Sequence, residues 1–184
     1  MKKHIFVLLF PVLGLLALPA RGHDPHEHGV ARLDVALEGQ RLSLELDSPL
    51  ANFLSFEHAP RTDAQRNEVR AMAAKLRGAE ALFVPPKAAL CRLASVELAS
   101  DNLPKDLLAP AGAPATGQLP EDNDSHGDIE AEYVFLCDKP EAVTQIEIRL
   151  FKAFPALREI AAQIAVPGKQ RAAELTPESS ALEW

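Results

Sequence analysis

Cysteine is scarce in this chain, with two in 184 residues. That excludes an all-cysteine zinc site and a disulfide-dense miniprotein. No C-x-x-C is present either, so a redox-active thiol pair is not indicated. Basic residues are outnumbered, 19 Lys and Arg against 26 Asp and Glu, for a formal net charge of −7. With no cationic surplus to neutralise phosphates, nucleic acid is not expected as a partner. There is no G-x-S-x-G, no H-E-x-x-H, no P-loop and no dinucleotide-type glycine pattern, so no enzyme is expected. No internal repeat is present. What the chain does have is 47% hydrophobic residues with 24% charged, enough to bury a core and to exclude global disorder.

One apolar run stands out, Ile5 to Leu18, behind Lys2 and Lys3 and ahead of Ala20-Arg21-Gly22. It is short for a membrane span and reads as a cleaved secretory signal over residues 1–22. Cleavage after Gly22 is the first choice and after Ala20 the second. No cysteine lies near the site to carry a lipid, so no stable membrane insertion is expected after cleavage. Loss of Lys2, Lys3 and Arg21 takes no acid with it and moves the charge from −7 to −10.

The remainder, 23–184, reads as a single α+β domain, mostly antiparallel β with about seven strands and one amphipathic helix. Ala31, Leu33, Val35 and Leu37 alternate with polar residues, Glu38-Gly39-Gln40 turns, and Leu42, Leu44 and Leu46 alternate again. Thr62 with Gln65 predicts a capping box. Val69, Met72, Ala73 and Leu76 form one apolar stripe, so a helix is expected over 63–77, stopped at Gly78. Further strands are expected over Leu90 to Ala99, with a bulge where the apolar phase breaks, over Ile129 to Cys137, over Thr144 to Leu150, over Ile160 to Val166 and near Arg171 to Leu175. Residues 101–127, with four prolines and the acidic Glu121-Asp122-Asn123-Asp124, are expected to form a flexible loop.

Cys91 and Cys137 flank that loop. In an oxidising compartment two cysteines of one small domain usually pair, and closing the loop contributes roughly 3–4 kcal/mol in the chain-entropy model. Metal-ligating residue types gather in three places. His23, His26 and His28 fall within six residues at the mature start, beside Asp24 and Glu27. Imidazoles suit zinc and copper, and a flexible end can wrap an ion without a scaffold. His126, Asp128, Glu130 and Glu132 share one face of a strand by period two, and with about 6.5–7 Å between alternate residues one ion takes two of them. His58 sits beside Glu57 in a loop with Phe53 and Phe56. A mature N-terminus at His23 would also offer amine and ring to copper as a brace.

Four ordered stretches carry a resemblance. His26-Glu27-His28-Gly29-Val30-Ala31-Arg32-Leu33-Asp34-Val35, Phe56-Glu57-His58-Ala59-Pro60-Arg61-Thr62, Ala131-Glu132-Tyr133 running to Cys137, and Leu150-Phe151-Lys152-Ala153-Phe154-Pro155 resemble the signatures of the ZrgA-like family. These are zinc-regulated exported proteins of Gram-negative bacteria. The resemblance implies a periplasmic protein that binds zinc and assists the zinc-binding component of an ABC importer. The family's long His-rich insert is reduced here to Glu121-Asp122-Asn123-Asp124-Ser125-His126, and Glu130 stands where relatives tend to place a second histidine. The expectation is a zinc-binding accessory or metallochaperone that uses His23, His26, His28, His126, Asp128, Glu130 and His58. The alternatives are an envelope interaction module without tight metal binding and a periplasmic copper carrier.

Overall fold

The alternation that begins at Val30 builds a hairpin. Strands β1 (Val30–Glu38) and β2 (Arg41–Pro49) pair antiparallel from Arg32↔Asp47 to Glu38↔Arg41. Gly39 takes φ +55° in the two-residue turn, a conformation open to glycine at little steric cost. A computed structural model describes residues 27–110, 112 and 127–184. The expected signal (1–22), His23, His26 and His126 lie outside the described residues.

Helix α1 (Asp63–Arg77) starts where expected. The Thr62 side chain accepts from the Gln65 backbone and the Gln65 side chain answers to the Thr62 backbone. Val69, Met72, Ala73 and Leu76 are its buried residues. Each large side chain of that stripe contributes about 1.5–3 kcal/mol by burial, against roughly 1 kcal/mol for a cap, so burial holds the helix and the cap sets its start. Gly78 ends it with φ −75°, not in the left-handed region. A second short helix, α2 (Ala79–Leu82), follows at once.

Among the described residues there are nine strands, two more than the seven or so expected. After β3 (Phe83–Val84) come β4 (Cys91–Ala99), β5 (Asp128–Cys137), β6 (Gln145–Ile148), β7 (Glu159–Val166), β8 (Lys169–Leu175) and β9 (Ala181–Glu183). Six of them form a sheet in the order β4-β5-β2-β1-β7-β8, and β3-β6-β9 form a smaller one. All pairings are antiparallel except β1 with β7. The predicted bulge in β4 falls between Leu93 and Ser95. The class is α+β, mostly β.

One apolar cluster joins the inner face of the large sheet, the α1 stripe and the small sheet. Phe83 of β3 meets Tyr133 of β5 with ring centroids 4.7 Å apart.

Two expectations are corrected. The strand over Thr144 to Leu150 stops at Ile148, and Leu150–Ala153 turns into a short helix. The Arg149 amide still donates in register to Leu82 O, and beyond it Leu150, Phe151 and Phe154 bury themselves in the core. The first part of the expected loop 101–127 is packed. Leu103, Leu107 and Leu108 are buried around a short helix at Lys105–Leu108. The Arg77 guanidinium donates twice to Leu108 O, at 3.0 and 2.7 Å, and once to Val96 O at 3.0 Å. The acidic second half of that loop lies outside the described residues.

Candidate metal centre

The disulfide forms as expected. Cys91 and Cys137 are register partners on β4 and β5 and are bonded. Both cysteines are thereby removed from metal chemistry.

Of the proposed ligands, His28 and His58 lie on loops at one end of the large sheet. His28 precedes β1, and its Nε2 lies 3.2 Å from Glu57 Oε1. The His28 side chain is about half exposed and Glu57 is mostly covered. Two ligands bound to one tetrahedral zinc at 2.0–2.2 Å stand roughly 3.3 Å apart. The observed spacing therefore suits two ligands of one metal ion. Glu57 was not among the residues the sequence nominated. Its signal was its place beside His58, but 29 positions separate it from His28 and no periodicity links them.

His58 does a different job in its surroundings. Its ring stacks on Phe56 with centroids 5.2 Å apart, and its Nδ1 lies 2.8 Å from Ala59 O. When Nδ1 donates to that carbonyl, Nε2 is left as the lone-pair nitrogen, the tautomer a metal needs.

Asp128 opens β5 opposite Pro49, half-buried, and Glu130 is exposed on the outer face opposite Asp47 and Ala99. The face pattern read from the sequence holds, since Ile129, Ala131, Tyr133 and Phe135 are buried while Asp128, Glu130 and Glu132 are not. Yet the described members of the expected set, His28, His58, Asp128 and Glu130, do not converge. Among the described residues no three His, Cys, Asp or Glu side chains come close enough to hold a metal ion. On β5 the extended backbone explains this, because alternate residues about 6.5–7 Å apart let one ion take two members of the face and no third.

The outer face is acidic beyond what composition requires. Glu97, Glu132, Glu45 and Asp34 lie side by side across four strands. Like charges directly opposite one another destabilise a sheet, and the Arg41 contact to Glu132 Oε1, 3.4 Å and exposed, offsets little of that. Such a face attracts cations in general.

A family comparison completes this picture. The family model described as "ZrgA family zinc uptake protein" matches residues 25–184. The chain belongs to the ZrgA family. The match begins just before His26 and runs to the last residue, so the His28–Glu57 pair and both sheets fall inside the ZrgA region. No match was found among curated proteins. ZrgA membership assigns the chain a role in zinc uptake. Among the described residues no helix is long and apolar enough to cross a membrane.

Proposed function

We propose that this chain is a periplasmic zinc-binding accessory protein, a metallochaperone that captures zinc and passes it to the zinc-binding component of an ABC importer. The observation that carries the reading is the His28–Glu57 pair, spaced for two ligands of one ion. Its placement supports the reading further. β1 and β5 flank β2 and run in the same direction, with Asp47 paired to Arg32 on one side and to Glu130 on the other. His28 stands four positions before Arg32, and His126 stands four positions before Glu130. Strands β1 and β5 therefore begin at the end of the sheet where the pair sits, and His23, His26 and His126 precede them in sequence. Neighbouring imidazoles would complete a set that zinc prefers over carboxylates alone. The signal-like residues 1–22 support the periplasmic location.

Transfer requires modest affinity and an exposed ion, and the half-exposed His28 side chain suits both. Calorimetric titration of zinc and of copper into the processed protein tests the reading. Saturable zinc binding that weakens in His28→Ala and in Glu57→Gln is expected. Binding unchanged by both substitutions would remove the pair from the site, and no zinc binding at all would leave an interaction module.

A further inference from the structure

His28 needs a fixed backbone if its ring is to meet Glu57 without ordering a free tail, and one buried side chain supplies much of that. Asn52 is only 2% exposed. Its Oδ1 accepts from Gly29 N at 2.6 Å, and its Nδ2 donates to Val30 O at 2.9 Å and to Ser48 Oγ at 2.9 Å. A single side-chain amide thus ties the first and third peptide groups after His28 to Ser48 of β2.

The other side of Gly29 is tied to β7. Gly29 O accepts from Arg158 N at 2.8 Å and from Glu159 N at 2.9 Å, and Arg158 Nη2 donates to His28 O at 3.3 Å. Gly29 has φ +91°, and a Cβ there would stand 2.7 Å from Arg158 Nε. The backbone leaving His28 therefore has one path.

We propose that Asn52 is the positioning residue of the zinc site. Resting on the function proposed above, it acts through Gly29 and Val30 to hold His28 Nε2 against Glu57, and it touches no ion itself. The position demands one acceptor and two donors from one short side chain, which an asparagine amide provides. Alanine would leave the Gly29 N–H and the Val30 carbonyl without their partner and would free the residue they hold. Loss of a residue that orients a metal ligand commonly weakens metal binding about tenfold to a hundredfold.

The test is a cycle of the parent, Asn52→Ala, His28→Ala and the double variant, in the full processed chain. Zinc affinity is measured by titration at a temperature where near-ultraviolet circular dichroism shows all four folded. In zinc-free protein, the NMR cross-peak between the His28 ring and the Glu57 side chain is followed in the parent and in Asn52→Ala. The expected result is weaker zinc binding in Asn52→Ala, no further loss when His28 is already alanine, and loss of the cross-peak. An equal loss in both backgrounds would show that Asn52 acts through the fold at large and would overturn the proposal. If the parent binds no zinc, the functional reading fails, and the cross-peak alone decides the positioning role: its persistence in Asn52→Ala overturns it and its loss upholds it. Should Asn52→Ala not fold, Asn52→Ser, which keeps a hydroxyl, takes its place with the same outcomes.

Discussion

Gly127 lies so close to Glu57 that a Cβ on it would stand 2.6 Å from the Glu57 carbonyl oxygen. The same atom would meet Asn102 Cγ and Leu50 Cδ1 at 2.8 Å. The missing side chain lets the start of β5 touch the loop that carries Glu57, while Leu50 N donates to Gly127 O at 2.8 Å. Gly127→Ala is expected to destabilise the protein by about 1–3 kcal/mol, as overpacking does, and to displace the Glu57 loop. Chemical denaturation measures the first effect. Loss of the NMR contact between His28 and Glu57 reports the second. An unchanged midpoint would show that the corner yields without cost.

A metal ligand must be deprotonated to bind, so zinc affinity is expected to fall as pH drops and each binding event to release protons. Calorimetry in buffers of different ionisation enthalpy counts those protons. His28→Ala is expected to lower the count, and a count that stays the same would place the exchange on other residues.

The Cys91–Cys137 bond closes a span of 46 residues. In the chain-entropy model that constraint is worth about 4 kcal/mol at 25 °C. Replacing both cysteines with alanine is expected to lower stability by an amount of that order and to leave zinc affinity unchanged, because neither sulfur belongs to the His28 corner. A thermal melt of oxidised parent against the double variant reads the difference. Equal melting temperatures would show that the unfolded chain gains nothing from release.

Tyr133 is fully buried, and its Oη has no hydrogen-bond partner among the described residues. Burial pushes its phenol well above the ordinary value, with the Arg77 charge opposing in part. The folded state therefore keeps its proton where the unfolded chain loses it. Stability present below about pH 10 is expected to decline as pH rises past that point, by up to ~1.4 kcal/mol per pH unit. Tyr133→Phe is expected to remove this decline and to leave stability at neutral pH equal or higher, since a buried hydroxyl without a partner contributes nothing. The chain has a single tyrosine, so tyrosinate absorbance follows this residue alone. Its ionisation before unfolding would contradict the expectation.

Elements with strong local pattern were legible in the sequence. The hairpin of β1 and β2 follows from alternating leucines, α1 from Thr62, Gln65 and the apolar stripe, and the β4 bulge from one break in phase. The disulfide followed from two cysteines on strands flanking one loop. Elements defined by distant partners were not legible. Strands β3 and β9, of two and three residues, exist because β6 lies between them, and no window that short carries a period. Helix Leu150–Ala153 replaced the end of a strand because Leu150, Phe151 and Phe154 found more burial by turning inward. At the candidate site, the sequence nominated His28 and His58 by residue type and position. Glu57 and Asn52 were not nominated, because the contacts they make to His28 and Gly29 span 29 and 23 positions along the chain.

The parallel pairing of β1 with β7 gives the molecule a temporal order. Val30 to Ala36 are matched by Glu159 to Ala165, so the first strand of the fold stays open on one side until almost the whole polypeptide has appeared. A chain that emerges N-terminus first during synthesis cannot complete its central sheet midway. Closure comes late and at once, when the seventh strand arrives beside the first.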